Sequence, residues 1–298
     1  MKQAEELLSA GQSIWYDNIS RELLDKGELA DLIANSGVRG LTSNPTIFEK
    51  ALGASATYDA EVRHLKSAGK SDDEVIEELM LTDISRAAEL LYPIFISSNG
   101  LDGYASIEVS PLLAADTEKT IKEAHRLFGK LARPNVMIKV PGTDAGIPAI
   151  GQLLEEGINV NVTLLFSLDN YKKVAECYIT ALENRASRGL SVDNISSVAS
   201  FFVSRVDSVI DPLLEEVSKS NDPQRAKIAQ SLLGKCAILN SGLAYLEFLN
   251  LFGSTRYEAL RAKEARVQRP LWASTSTKNP KYRDVVYVEE LVAEHTVN

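Results

Sequence analysis

The sequence predicts an α/β protein, and within that class a (β/α)8 barrel of the TIM type. Short apolar, β-branched runs alternate with longer segments of helical period, as they do in repeated βα units around a parallel sheet. No break in composition and no Pro/Gly-rich linker divides the chain of 298 residues, a length that one barrel of this kind reaches. A glycine-rich dinucleotide loop after a strand is missing, which disfavours an open doubly wound sheet. We therefore expect residues 1–298 to form a single domain.

Eight strands are predicted from runs rich in β-branched residues that turn signals separate. In chain order they are 14–19, 38–43, 103–109, 136–140, 158–165, 197–203, 270–274 and 294–297. Apolar residues at helical spacing fill the intervals, for example between Tyr171 and Leu182. The interval that contains residues 51–92 is too long for a simple βα loop and carries an acidic helix start at 71–74. We expect a helical insertion at 51–92, between strands two and three.

Charge and cysteine content narrow the kinds of partner. The formal net charge of -9 and the pI of about 5.1 argue against binding to nucleic acid or to anionic membranes, both of which select basic surfaces. Cys177 and Cys236 lie in apolar helical patterns without metal-like spacing, which is typical of a reducing compartment. The first residues carry acids and lead into no apolar run of signal-peptide length. We expect a cytoplasmic protein with neither nucleic-acid nor membrane partners; a monomer and a homodimer both fit the sequence.

Several predicted strands carry polar side chains on a face that a purely structural barrel would fill with aliphatic ones. Residues two apart share a face of a strand, so each strand divides into an apolar face and a mixed one. Unsatisfied buried polar groups cost of order 1–3 kcal/mol each, and these groups fall near the C-terminal strand ends, where barrel enzymes place their chemistry. The pattern therefore indicates an active site. The inward-facing residues are Asp17, Thr42, Asn44, Glu108, Lys139, Asn161, Thr163, Ser200 and Phe202.

Lys139 is the most informative of these residues, because it is a lone cation in the apolar strand 136–140. Burial disfavours the charged form of an amine and frees the neutral form to attack a carbonyl, as a Schiff-base lysine requires. The alternative is a strand-end lysine that reaches solvent or pairs with Glu108. Its polar neighbours on adjacent strands favour the Schiff base. No cluster of Asp, Glu or His has metal-ligand spacing, and no Walker loop occurs, so we expect a mechanism without cofactor or metal.

Three motifs in the sequence resemble those of transaldolases. They are WYDNIS at 15–20, GLTSNPTIF at 40–48 and INVNVTLLFS at 158–167, and they occur in the order of that family. The similarity runs from about residue 11 to the end, and the long segment before Gly103 is similar to the longer bacterial and plant branch. The transaldolase half of fusions with glucose-6-phosphate isomerase is related as well. Family members continue past residue 298, so the resemblance implies that a closing helix is missing from this chain.

The resemblance implies a catalytic role for the inward-facing ionisable residues. Lys139 would form the Schiff base and Asp17 would be the general acid/base, while Glu108 and Thr163 would hold a water that relays protons. The hydroxyls of the bound three-carbon unit would be held by Asn44, Asn161 and Ser200, with Thr42 beside them and Phe202 in the cavity wall.

Phosphate recognition in the family uses an arginine after strand six and a Ser-x-Arg sequence after strand seven. Arg205 matches the first, although a surface salt bridge is the alternative role for this residue. Ser274 matches the serine of the second, but the arginine is absent. Lys278 offers a charge nearby, as a point cation without the two-pronged guanidinium geometry.

The implied reaction is that of the non-oxidative pentose phosphate pathway. A dihydroxyacetone unit would pass between sedoheptulose 7-phosphate or fructose 6-phosphate and glyceraldehyde 3-phosphate or erythrose 4-phosphate, through the lysine Schiff base. A fructose 6-phosphate aldolase on the same barrel remains open, since only the fate of the enamine separates the two activities. A non-catalytic sugar-phosphate-binding barrel is the third interpretation, and it predicts a missing lysine or acid where this sequence has Lys139 and Asp17.

Overall fold

A parallel sheet of seven strands forms the centre of the computed structural model, which describes residues 2–54 and 56–298. The spatial order of the strands follows the chain, and every neighbouring pair is parallel, as the predicted α/β barrel requires. Each of the first seven predicted strands overlaps an observed one. They are β1 (Ile14–Tyr16), β2 (Val38–Leu41), β3 (Tyr104–Glu108), β4 (Val136–Pro141), β5 (Val160–Leu165), β6 (Ser197–Phe202) and β7 (Arg269–Ala273).

Helices join successive strands and cover the outside of the sheet. Within the described residues no single helix is long and apolar enough to span a membrane. The bent pair Pro223–Leu232 and Cys236–Phe252, at 68°, meets that test only when its two helices are taken together. The helices are α1 (Lys2–Ser9), α2 (Arg21–Asp25), α3 (Glu28–Asn35), α4 (Pro45–Ala54), α5 (Asp59–Ser67), α6 (Asp72–Ser97), α7 (Thr117–Leu131), α8 (Gly146–Glu156), α9 (Leu168–Ser187), α10 (Ser204–Val217), α11 (Pro223–Leu232), α12 (Cys236–Phe252), α13 (Thr255–Arg261) and α14 (Val286–Glu290), with short 3-10 turns at Ala56–Tyr58 and Pro111–Leu113.

Residues 296–298 close the sheet between β7 and the start of β1. Val297 forms parallel bridges with both Leu271 and Ser13, and Trp272 N donates to its carbonyl at 2.8 Å. The predicted strand 294–297 is therefore right in its place but wrong in its length, since regular pairing is limited to this bridge. The left-handed backbone of His295, with φ of 60°, interrupts the extended conformation that a longer strand needs.

The segment 51–92 is helical in all its described parts except the turn before α6. A capping box of Ser71 and Glu74 begins α6, in which the Ser71 backbone N–H donates to the Glu74 carboxylate at 2.8 Å. This helix continues past residue 92 to Ser97 and packs against β2 and β3, so it belongs to the outer helical layer. A small apolar cluster that includes Tyr58 and Leu79 joins the 3-10 turn at Ala56–Tyr58 to α6. That the segment is an insertion stays a prediction.

Two cores lie on the two faces of the sheet. The outer core packs helices against residues such as Ile107, Ile138 and Val162, which are at most 1% exposed. The inner one fills the floor of the barrel, and Gly40 makes room for it, because a Cβ there would lie 2.4 Å from the Trp15 ring. The predicted alternation of faces is confirmed except at Leu164, and this end of the barrel is filled by side chains. The floor consists of Trp15, Tyr104, Met137, Val198, Leu271 and Val297.

Leu164 departs from the predicted alternation. We expected it beside Val160 and Val162 on the helix-facing side of β5, but it is 42% exposed. Its backbone is left-handed, with φ of 61°, and the strand register shifts between Val162 and Leu165. Leu165 takes the fully buried place instead, so the end of β5 turns an apolar side chain towards solvent.

Candidate active site

Lys139 lies inside the barrel near its C-terminal mouth and is 7% exposed. Its Nζ atom is 3.1 Å from Oε2 of Glu108, its register neighbour on β3, and donates to the Ser43 carbonyl at 3.2 Å. The ion pair with Glu108 considered as the alternative is thus present, but it lies within the barrel rather than on the surface. A carboxylate at this distance can take the ammonium proton and leave a nucleophilic amine.

Asp17 follows β1 at the same mouth and is exposed. Its Oδ1 atom accepts a 2.6 Å hydrogen bond from the hydroxyl of Thr42, which follows β2 and is 6% exposed. The bond fixes one carboxylate oxygen, and the exposed position leaves the group open to exchange a proton with a ligand. The two residues predicted to be co-facial partners of neighbouring strands are in direct contact.

A chain of hydrogen bonds crosses the barrel interior beside the lysine. Ser200 Oγ donates to Asn161 Oδ1 at 2.7 Å, and Asn161 Nδ2 donates to Ser106 Oγ at 3.2 Å. Asn161 is the register neighbour of Lys139 on β5, and all members of the chain are at most 2% exposed. This network holds the amide of Asn161 in one orientation, as the recognition of a hydroxylated ligand requires.

The hydroxyl of Thr163 has no hydrogen-bond partner among the described residues, although the side chain is 1% exposed. Thr163 is the register neighbour of Pro141, one side-chain layer above Lys139 on the inner face. Buried hydroxyls are nearly always paired, so an orphan of this kind in a barrel mouth calls for a ligand or a bound water.

Asn44 is half-buried just before α4. Its Oδ1 atom accepts from the Ile47 N–H at 3.1 Å and so caps the helix. The amide nitrogen remains as a donor. The structure therefore gives this residue a structural role that the sequence did not suggest, without removing its predicted binding role.

The rim of the mouth carries the residues predicted to bind phosphate. Phe202 is 9% exposed; its ring centroid lies 5.0 Å from that of Phe166 and 5.2 Å from Cζ of Arg205. Arg205 is exposed and rests on this ring rather than in a salt bridge with an acid of the described chain, so the surface ion pair considered for it is not formed. A guanidinium held at an aromatic face retains its donors for an anion.

Ser274 ends β7 in a left-handed conformation, with φ of 57°, which is uncommon outside glycine. Its carbonyl accepts from the Ser204 N–H at 3.1 Å and from the Ser204 hydroxyl at 2.6 Å. Lys278 is exposed, and its Nζ donates to Ser276 Oγ at 2.6 Å. Ser204 precedes Arg205. Its hydrogen bonds therefore connect the segment after β7, which carries Lys278, to the segment after β6, which carries Arg205.

Sequence reasoning missed some contributors to the site. Ser106 was not predicted as a site residue, although its spacing of two from Glu108 on β3 was the available signal. Ser43 meets Lys139 through a backbone carbonyl, which leaves no mark in the sequence. Among the described residues, no group of three or more His, Cys, Asp or Glu side chains is arranged to hold a metal ion.

Comparison with known proteins places the chain in a family. The model of the transaldolase/fructose-6-phosphate aldolase family matches residues 14–297. The chain belongs to this family. Among transaldolase relatives, the transaldolase of Trichodesmium erythraeum is 50% identical over 295 residues, which are 98% of this chain and 77% of that protein. Transaldolase 2 of Nostoc punctiforme is 48% identical over 295 residues, with the same shares.

The transaldolase of Mycobacterium ulcerans is 47% identical over 293 residues, which are 98% of this chain and 77% of that protein. Of solved structures, N-acetylneuraminate lyase from Mycoplasma synoviae aligns over 94% of both chains with 12% identity and a TM-score of 0.31, a likeness too low to bear on the fold.

Proposed function

We propose that this chain is a transaldolase that moves a dihydroxyacetone unit from a ketose phosphate to an aldose phosphate through a Schiff base on Lys139. The observation that carries the proposal is the buried Lys139 amine, 3.1 Å from the Glu108 carboxylate and surrounded by inward polar side chains. Relatives about half identical to the chain are named transaldolase, which supports the same activity here.

The first step is attack of the Lys139 amine on the C2 carbonyl of fructose 6-phosphate or sedoheptulose 7-phosphate. Glu108 takes up the two protons that the nitrogen loses in turn and passes each, through a water held with the Thr163 hydroxyl, to the carbonyl oxygen, which leaves as water. The resulting iminium withdraws electrons from the neighbouring carbon–carbon bond. The orphan Thr163 hydroxyl supports this placement of the water.

The second step breaks the C3–C4 bond. Asp17 takes the proton of the C4 hydroxyl, an aldose phosphate leaves, and the electron pair of the broken bond stays on the Lys139-bound unit as an enamine. Glyceraldehyde 3-phosphate or erythrose 4-phosphate then enters, and the same steps run in reverse. The exposed Asp17 carboxylate, steadied by Thr42, supports the role of acid and base.

Binding in this proposal is divided between the interior and the rim. Thr42, Asn44, Asn161 and Ser200 hold the hydroxyls of the three-carbon unit, and Phe202 forms the wall beside them. Arg205, Ser274 and Lys278 hold the phosphate. The two free cysteines support a reducing compartment such as the cytoplasm, in which the chain would take part in the non-oxidative pentose phosphate pathway.

A fructose 6-phosphate aldolase is the second candidate, because the matching family includes that activity. In that case water protonates the enamine and free dihydroxyacetone appears without an acceptor. Release of dihydroxyacetone that is independent of erythrose 4-phosphate would favour the lyase; release that is negligible next to acceptor turnover would favour the transferase.

Borohydride trapping with fructose 6-phosphate tests the Schiff base. Intact mass and peptide mapping should locate the reduced adduct on Lys139, and Lys139→Met should abolish it. Lys122→Met, which removes an exposed lysine of α7, is the matched control and should leave the adduct in full. An adduct that persists in Lys139→Met, or no adduct in the unmodified protein, would overturn the proposal.

A further inference from the structure

The loop between β7 and α14 carries Lys278 and contains neither helix nor strand between Ser274 and Val285. Its first anchor is the Ser274 carbonyl, which accepts two hydrogen bonds from Ser204 at the start of α10. A lysine in such a loop is a flexible point charge. The conformational entropy that it loses when it is ordered opposes the binding of an anion. What fixes the rest of the loop therefore decides where the charge of Lys278 can act.

Tyr282 supplies a second anchor. Its hydroxyl donates to Asp211 Oδ2 at 2.7 Å, and Asp211 Oδ1 accepts from the Gly234 N–H at 3.0 Å. The Tyr282 ring covers Gly234 so closely that an added Cβ there would lie 2.7 Å from the ring carbon Cζ, and φ at this glycine is 68°. Ring and hydroxyl thus hold the loop against the α11–α12 connection at once.

Tyr287, at the start of α14, supplies a third anchor and is 1% exposed. Its hydroxyl donates to Asp207 Oδ2 at 2.8 Å, while Asp207 Oδ1 accepts from the Ala237 N–H at 2.7 Å in the first turn of α12. Burial raises the pKa of Asp207, and its hydrogen-bond donors oppose that shift. Burial of this carboxylate therefore costs free energy, and each of its two oxygens accepts a hydrogen bond from one of these partners.

All three anchors meet the same helix. Ser204, Asp207 and Asp211 follow one another at spacings of three and four, so they lie on one face of α10. They line a cleft of about 340 Å³ together with Tyr282, Tyr287 and Lys278. Arg205 occupies the first turn of α10, so the loop that carries one candidate phosphate cation is fastened to the helix that carries the other.

We infer that Tyr282, through Asp211, is a positioning residue for phosphate recognition: it holds the Lys278 loop in a fixed relation to Arg205, and Tyr287 with Asp207 supports it from the far end. The inference rests on the proposed function, in which the phosphate of the sugar is bound at this rim. Asp207 and Asp211 are both buried carboxylates. Apolar side chains could fill this region at lower cost, so the two carboxylates support a positioning role.

The test is Tyr282→Phe, which keeps the ring over Gly234 and removes only the hydroxyl. We expect KM for fructose 6-phosphate and the inhibition constant of inorganic phosphate to rise together by about fivefold to twentyfold, a part of the value of a hydrogen bond to a charged group, because Tyr282 acts on the phosphate only through the loop. The value of kcat should stay within about twofold, because Lys139 and Asp17 are untouched. The borohydride adduct should reach full yield at saturating substrate.

Tyr257→Phe is the control, since it removes a tyrosine hydroxyl away from the Lys278 loop, one that donates to the Ala265 carbonyl at 3.2 Å. It should leave both phosphate-dependent constants unchanged. Unchanged constants in Tyr282→Phe, equal changes in both variants, or a fall in kcat with constant KM would overturn the inference. So would an unmodified protein that inorganic phosphate does not inhibit. Failure of the proposed function is recognised separately, as the absence of any trapped adduct in the unmodified protein.

Discussion

The hydroxyl of Thr42 lies 2.6 Å from Oδ1 of Asp17 and donates a hydrogen bond to it. A hydroxyl–carboxylate bond of this length is charge-assisted, and it joins the ends of β2 and β1 at the barrel mouth. The carboxylate that takes the C4 proton in the proposed mechanism is thereby held in one orientation. Substitutions at these two residues should separate the chemistry of the acid/base from its orientation.

Asp17→Ala should keep the Schiff base and lose the cleavage step. We expect an undiminished borohydride adduct with fructose 6-phosphate, and turnover slowed by about 10²–10⁴-fold, the usual loss when a general acid/base is removed. Single-turnover kinetics would show the adduct accumulating before aldose release. Turnover equal to that of the unmodified protein would remove Asp17 from the mechanism.

Thr42→Val keeps the β-branched shape and removes the donor to Asp17. Turnover should fall by about tenfold, the equivalent of one hydrogen bond to a charged group. The variant should be as stable to thermal unfolding as the parent to within about 1 kcal/mol. A loss as large as that of Asp17→Ala would mean that Thr42 does more than orient the carboxylate.

Thr163→Val should lower activity without lowering stability. The Thr163 hydroxyl is buried and has no hydrogen-bond partner in the described part of the chain, so its removal should be neutral or stabilise the fold by up to about 1 kcal/mol. Loss of the relaying water should slow turnover by about 10–100-fold. Thr120→Val is the control, because its hydroxyl donates to the Leu113 carbonyl at 3.0 Å; there stability should fall and turnover should not.

Glu77 should contribute a pH-dependent part of the stability. Its carboxylate is 2.5 Å from Arg126 and 2.6 Å from Lys130, and these cations, chiefly Arg126, lower its pKa to about 2. Because the folded pKa is depressed, the contribution is complete above the unfolded value near 4.5 and is lost as the pH falls towards 2. Glu77→Gln should therefore cost about 1 kcal/mol at pH 7 after solvent screening, and almost nothing at pH 2.

Denaturant unfolding of Glu77→Gln and the parent at both pH values measures this difference. Added salt should shrink the loss at pH 7, because the ion pair is partly exposed. A destabilisation that is the same at both pH values would assign the effect of Glu77 to packing rather than charge.

Gly40→Ala should strain the barrel floor. The new Cβ would lie 2.4 Å from the Trp15 ring, and overpacking of this kind costs about 1–3 kcal/mol in thermal or denaturant unfolding. Gly129→Ala in α7 is the control, since nothing lies within 4 Å of a Cβ there, and it should stabilise the helix by about 0.5–1 kcal/mol. Equal effects of the two substitutions would show that the floor can relax.

Strand alternation made much of the site predictable. Lys139 was expected to face inward, and the structure places it beside Glu108 inside the barrel, while its neighbour Ile138 packs against the helices. The same rule failed at Leu164, and strand eight proved shorter than expected at His295. Both residues have left-handed backbones that no periodicity reveals, since they arise from the way the strand end is held.

The rim was harder to predict than the interior. Arg205 lies in the first turn of a helix directly after β6, so its place follows from the chain, whereas Lys278 lies in a loop whose path depends on distant partners. The contact of Tyr282 with Asp211 spans 71 positions, and sequence patterns carry no trace of such a pairing.

Closure of the barrel by residues 296–298 has a consequence for the order of folding. The seam between the start of β1 and residues 296–298 includes a hydrogen bond from Gln12 to Thr296, which are 284 positions apart. Because closing so long a loop costs much chain entropy, we expect the seam to form only after the intervening βα units have condensed. Asp17 lies just past one edge of this seam and Ser274 just past the other. We therefore expect Asp17 and Ser274 to come into register late in folding. Fast amide exchange at Ser13 and Trp272 would report local opening of this seam.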